Sequence, residues 1–257
     1  MRIQPRDLRD KKRVNLWEVV PLPAPLVMWI DPSNLCNIRC VFCPTGDKTL
    51  RKQRPNGIME FSTLCQIVSD LQEFPKKVRR INLYKDGEPL VNLRFADMTK
   101  YLVDSGVTDQ VWSKTNGLLL NPILNKAIVR SGLKLLGISV NAVTEEGYRK
   151  VCNTKICYDM FRDNIADLYS IRGNMKIFIK IGDTGLTQEE LDKFYADFED
   201  RCDYISVEGL HGWSNSSIKD FRLGTDNSFD GNPIVDKIAC PIAMCALSVN
   251  WNGFRPA

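Results

Sequence analysis

The chain has 257 residues, with 35 basic and 31 acidic side chains, nine cysteines and one histidine, His211. A composition 44% apolar and 26% charged excludes a disordered chain, and the length allows one large domain with a small appendage. The lone histidine excludes His-rich metal sites, and the formal charge of +4, carried in short interrupted runs, argues against a nucleic-acid partner.

The first apolar stretch, Val19–Ile30, carries Pro21, Pro23 and Pro25 and ends at Asp31. It is too short to span a bilayer and too rich in proline for a signal-peptide core. No later segment reaches the roughly 18 apolar residues that a membrane helix needs, so the expected compartment is the cytoplasm. Thiols stay reduced there, and clustered cysteines point to metal or redox chemistry rather than disulfides.

Short β-rich runs then alternate with helical patterns. Leu26–Ile30 reads as a buried strand, and Met59–Phe74 as a helix capped by Ser62 and stopped by Pro75. Strand Arg80–Tyr84 and helix Leu93–Asp104 follow, then strand Gln110–Lys114 and helix Pro122–Arg130. Next come strand Leu135–Val140, helices Glu145–Val151 and Tyr158–Ile171, and strand Lys176–Ile181. Thr187 caps a helix over Gln188–Phe198, with Glu189 and Glu190 at its positive end, and strand Tyr204–Val207 closes the series. Six βα-type units predict an α/β fold, a partial (βα)6 barrel of parallel strands with a short, incomplete C-terminal extension. Chemistry in such folds sits in the loops after the strands: Asp31–Gly46, Lys85–Leu90, Thr115–Leu118 and Ser139–Ala142.

The first of these loops holds Cys36, Cys40 and Cys43 in the spacing C-x3-C-x2-C. Three thiolates this close can wrap an iron–sulfur cubane and leave one iron without a protein ligand. A zinc knuckle completed by His211 is the alternative, although zinc sites usually split their ligands into two separated pairs.

This loop, with aromatic Phe42 directly before Cys43, resembles the radical S-adenosylmethionine (SAM) enzymes. The resemblance implies a [4Fe–4S] cluster on Cys36, Cys40 and Cys43 whose free iron chelates SAM. It further implies reductive cleavage of SAM to a 5′-deoxyadenosyl radical that takes hydrogen from a substrate. Asp86-Gly87-Glu88-Pro89 is similar to the family's G-G-E-P segment that contacts the SAM amino group, with Asp86 in place of the first glycine. Gly87 would admit the backbone and Glu88 would offer a carboxylate to an ammonium. Thr115-Asn116-Gly117 and Ser139-Val140-Asn141 stand where the family has its T-N-G and ribose- or carboxylate-contacting segments, and Phe42 is expected beside the adenine.

Lys180, late on the fifth strand, could reach SAM or substrate, and His211 just past the last strand could act as acid or base. These are the candidate catalytic residues. The motifs resemble most the subgroup with a C-terminal SPASM or twitch extension that binds auxiliary iron–sulfur clusters. Here Cys240 is followed by twelve residues, Gly253 and four more, one position short of the pattern's next cysteine. The expectation is a lead-in at residues 1–23, the barrel at 24–212 and the opening of the extension at 213–257. Cys240 and Cys245 are candidate auxiliary ligands, together with Cys152 and Cys157, but a complete set is not expected. A sugar or cyclitol is the first substrate class and a peptide the second, with flavodoxin or ferredoxin as electron donor. The competing class is a non-catalytic iron–sulfur or zinc-binding paralogue.

Overall fold

The computed structural model of the chain describes residues 15–210, 240 and 242–253. Its first strand, β1 (Val27–Ile30), is followed by the cysteine loop, the short helix α1 (Lys48–Gln53) and α2 (Phe61–Gln72). Then come β2 (Arg80–Leu83), α3 (Phe95–Asp104), β3 (Val111–Thr115), α4 (Pro122–Arg130) and β4 (Leu135–Val140). Two helices, α5 (Glu145–Cys152) and α6 (Tyr158–Ile171), lead to β5 (Lys176–Asp183), α7 (Gln188–Phe198) and β6 (Tyr204–Gly209). A last pair, α8 (Ile242–Cys245) and β7 (Ala246–Val249), ends the described chain. No helix among the described residues is long and apolar enough to cross a membrane.

All seven strands form one sheet in the order β6-β5-β4-β3-β2-β1-β7, and every neighbouring pair is parallel. Six consecutive βα units give the expected partial barrel. The sequence reading had no strand at β7, which pairs with β1 from Val27↔Ala246 to Ile30↔Val249. Four residues of mixed polarity carry no period of their own; the edge of β1 makes them a strand.

Side chains alternate across the sheet. Met28, Ile30, Ile81, Leu83, Val111, Leu136, Ile138, Val140, Ile177, Ile179 and Ile181 point to one face and form the core with the buried faces of the helices. In α2 that face is Leu64, Ile67, Val68 and Leu71. Its expected cap, Ser62, lies inside the helix; the N-cap is Glu60, whose side chain makes no capping bond. By contrast Thr187 and Glu190 form a reciprocal capping box on α7. Gly106 and Gly132, at φ of +66° and +81°, turn the chain after α3 and α4 in the left-handed region that glycine enters freely.

Candidate functional site

The opposite, concave face and the loops at the strands' carboxyl ends carry the polar residues. The cysteine loop is built by its own backbone: the Cys43 amide donates to Cys40 O at 3.2 Å and the Gly46 amide to Cys43 O at 2.8 Å. Arg39 folds back, its Nη1 donating to the carbonyls of Cys36 at 2.6 Å and Ile38 at 2.7 Å. The end of α5 fixes the loop from behind, with the Arg39 amide on Cys152 O and the Val41 amide on Val151 O, both at 2.9 Å.

Cys40 is buried, while Cys36 and Cys43 are half-buried. Burial pushes the Cys36 thiol up to about 11 and raises Cys43 as well. Cys40 is raised too, first by its contact with Cys152, whose sulfur lies 3.6 Å away, and then by burial. These thiols become thiolates only when a metal centre draws them, releasing protons as it binds. Among the described residues no three His, Cys, Asp or Glu side chains are gathered around a single ion. That holds for Cys240 and Cys245 with Cys152 and Cys157 as well: Cys152 is buried against Cys40, and Cys157 and Cys240 are exposed. His211 lies outside the described residues.

The loop after β2 is welded to the cysteine loop. The Glu88 amide donates to Leu35 O at 2.8 Å, and Thr45 Oγ1 donates to Asp86 O. Gly87 packs so closely that a Cβ would lie 2.3 Å from Ser33 O and 2.4 Å from Leu35 O. No side chain fits there, which accounts for the glycine by close approach alone.

Glu88, only 2% exposed, does something the motif did not suggest. Its Oε1 accepts from Leu90 N at 3.1 Å and Thr115 Oγ1 at 2.6 Å, and its Oε2 accepts from Asn116 N at 2.7 Å. Three donors of the chain itself thus meet the carboxylate that the resemblance assigns to an ammonium. Burial raises its pKa to about 6, opposed by the Asn116 amide, the Thr115 hydroxyl and the Leu90 amide. Pro89 opens a 3-10 turn beneath it. Asn116 continues the chain of contacts: its Nδ2 donates to Asn37 Oδ1 at 2.7 Å and lies 3.9 Å from Cys36 Sγ. Gly117, at φ +76°, completes this turn.

The structure therefore brings Cys36, Asp86, Gly87, Glu88, Pro89, Thr115 and Asn116 into one hydrogen-bonded mouth. Phe42 packs half-buried against the core beside this loop. Asn141 is buried, its amide held by the Tyr148 hydroxyl at 3.3 Å. Ser139 sits on β4 opposite Lys180 on β5. Lys180 is ion-paired with Glu208 on β6. Burial and then the nearby Lys114 charge lower its pKa, while Glu208 opposes them.

One residue that sequence reasoning passed over stands out. Asp31, 1% exposed at the end of β1, has no hydrogen-bond partner among the described residues on either carboxylate oxygen. Burial raises its pKa to about 6, helped by Asp86 and opposed by Lys85 and by the nearby backbone amides of Asp86 and Ser33. Lys85 Nζ in turn donates to Asn250 Oδ1 at 2.5 Å, so the residue after β7 clasps the loop after β2. A carboxylate directly after a buried strand, in the loop that carries the cysteines, was the available signal.

A parallel βα sheet with three soft thiols in the loop after its first strand defines a cluster-binding partial barrel, and the donor set fits a [4Fe–4S] cluster. The model of the Radical SAM superfamily matches residues 30–198, and the chain belongs to that superfamily. Membership implies a [4Fe–4S] cluster and SAM. The GTP 3',8-cyclase of Staphylococcus haemolyticus (strain JCSC1435) is 24% identical over 221 residues, 81% of this chain and 63% of that protein. The chain thus spans less than two thirds of the curated relative's length. Among solved structures, Streptococcus suis SuiB bound to S-adenosylmethionine aligns with a TM-score of 0.70 at 13% identity, covering 93% of this chain and 61% of that one. The anSMEcpe enzyme with bound AdoMet and the Cp18Cys peptide aligns at 0.56 and 18% identity, covering 77% and 55%. These likenesses are of fold.

Proposed function

We propose that the chain is the catalytic barrel of a radical SAM enzyme that abstracts hydrogen from a small, hydroxyl-rich substrate of the sugar or cyclitol class. One observation carries the reading: the three-thiol loop shares a hydrogen-bonded mouth with the loops after β2 and β3, through Glu88–Leu35, Glu88–Asn116 and Asn116–Asn37. When bound, the cluster and SAM supply one-electron cleavage to a hydrogen-abstracting carbon radical. Cys36, Cys40 and Cys43 hold the cluster in this reading, and Phe42 lies beside the adenine. The backbone of Lys85–Gly87, rather than the Glu88 side chain, receives the amino group of SAM. Glu88 acts one step behind, fixing Thr115 and Asn116. Ser139 and Asn141 line the ribose and carboxylate side.

The protein's own work is to orient groups and exclude water. The substrate class is read from the polar groups of the concave face, where Ser139, Lys180, Ser206 and Glu208 stand among the rings of Trp29, Trp112 and Phe178. In this reading residues 24–212 together with β7 form the barrel sheet, the rest of residues 213–257 belongs to an extension, and a flavodoxin- or ferredoxin-type protein supplies the electron. Anaerobic reconstitution with iron, sulfide, SAM and dithionite tests the reading. Production of 5′-deoxyadenosine and methionine that disappears in Cys36→Ala, Cys40→Ala and Cys43→Ala supports it. No cleavage, or cleavage unchanged by those substitutions, overturns it.

A further inference from the structure

The concave face of the sheet is rich in charge and poor in partners. Strand register places Asn82 beside Trp112, Lys114 beside Gly137, Ser139 beside Lys180, and Lys180 beside Ser206. Lys114 and Lys180 therefore stand on β3 and β5 with β4 between them. At that point β4 contributes only Gly137 and Ser139, so the sheet dips between the two ammonium groups. A Cβ on Gly137 would lie 3.1 Å from Lys114 Cγ, which places the glycine directly under that lysine stem.

The charges do not balance. Glu208 pairs with Lys180, and both side chains are only 19% exposed. Lys114 makes no ion pair with any described residue; it leans over the Tyr84 ring, 5.6 Å from the centroid. Arg80 lies over the Trp112 ring at 4.4 Å, and its Nε is buried without a partner. Lys114, Lys180 and Arg80 thus share the middle of this face with Glu208, while Asp31, two positions beyond Trp29, stands at its carboxyl end. A buried unpaired cation is costly unless an anion joins it.

The same face carries orphaned hydrogen-bonding groups. Asn82 Oδ1, Ser206 Oγ and Ser248 Oγ are buried with no partner among the described residues, and Asn82 and Ser206 are 2% and 6% exposed. Each belongs to a register position facing the same space: Asn82 and Ser248 flank Trp29, and Ser206 adjoins Lys180. Native proteins rarely leave such groups unmet unless a water or a ligand completes them.

We propose that Lys114 and Lys180 bind an acidic group, a carboxylate or a phosphate, on a small substrate whose hydroxyls meet Asn82 and Ser206. This deepens the functional reading above, which names only a hydroxyl-rich molecule, and it rests on that reading for the barrel interior being the substrate site. Glu208 tunes the site by partly neutralising Lys180.

The test is calorimetric titration of the reconstituted, SAM-loaded protein with glucose 6-phosphate, glucuronate, inorganic phosphate and glucose. The expected result is saturable binding of at least one sugar acid and none of neutral glucose. The phosphorylated and carboxylate probes separate the two sources of charge. Lys114→Met is expected to weaken that binding about 10- to 100-fold, the worth of one charge-assisted contact. Glu208→Gln, which leaves Lys180 uncompensated, is expected to tighten it; the opposite signs separate a site from general damage to the fold. Equal affinity for glucose, no binding of any anionic probe, or binding unaffected by both substitutions overturns the proposal. Dithionite-driven cleavage of SAM is followed in parallel. Cleavage without anion binding sinks this proposal alone, and anion binding without cleavage sinks the enzyme reading alone.

Discussion

Glu88 holds the Asn116 amide at 2.7 Å across 28 residues of chain, and through it the loop after β3 is locked against the cysteine loop. Glu88→Gln puts an NH2 group where one of three donors now finds an acceptor. A buried donor left unmet costs about 1–3 kcal/mol. Thermal unfolding is expected to shift down by several degrees, whereas Glu73→Gln, on an exposed residue, shifts it within error. Equal melting of the two variants would mean that the Glu88 network does not hold the loops.

The thiols divide by position. Cys36→Ala, Cys40→Ala or Cys43→Ala is expected to lower bound iron and sulfide after reconstitution at least about tenfold. Cys65→Ala, on the half-buried flank of α2, is expected to leave them unchanged. Metal and sulfide analysis of the four variants checks this.

Asp31 gives a pH signature. Its folded pKa of about 6 exceeds the ordinary 3.8, so the folded state holds this proton more tightly than the unfolded chain. Its contribution to stability is therefore full below about pH 4 and lost as pH rises through about 6. Asp31→Asn removes the buried charge and is expected to stabilise the protein by about 1–3 kcal/mol near pH 7.5. The gain should shrink toward zero as pH falls toward about 4. Urea unfolding across this range reads it out, and a gain constant with pH would show that Asp31 is ionised freely in the fold.

Gly87 is a packing requirement. Gly87→Ala drives a methyl into the carbonyls of Ser33 and Leu35, and backbone cannot yield as a side-chain tip can. A loss of about 1–3 kcal/mol or more is expected, with weakened SAM binding. Gly209→Ala, where no atom of the described residues lies within 4 Å of an added Cβ, is the matched control and should be near neutral. Titration with SAM and denaturant unfolding of both variants check the contrast.

Much of this protein was legible along the chain. The spacing of three cysteines, the apolar periods of α2 to α7, the Thr187 cap and the glycine stops are all encoded within a few residues, and local geometry follows from local sequence. Ser62 failed as a cap because the chain already turns into the helix at Glu60, which puts Ser62 in the first turn. β7 was invisible because a short edge strand acquires its identity from the strand it joins.

The motif at residues 86–89 gave no sign that Leu90, Thr115 and Asn116 would donate to the Glu88 carboxylate. A carboxylate looks the same in sequence whether its acceptors face a ligand or the amides of a distant turn. The nine cysteines, conspicuous by count alone, were sorted into a thiol loop and scattered others by spacing. Only the fold set Cys152 against Cys40, left Asp31 buried without partners, and turned Lys114, Lys180, Asn82 and Ser206 toward one space. Those relations join residues tens of positions apart, and only strand order and register bring them together.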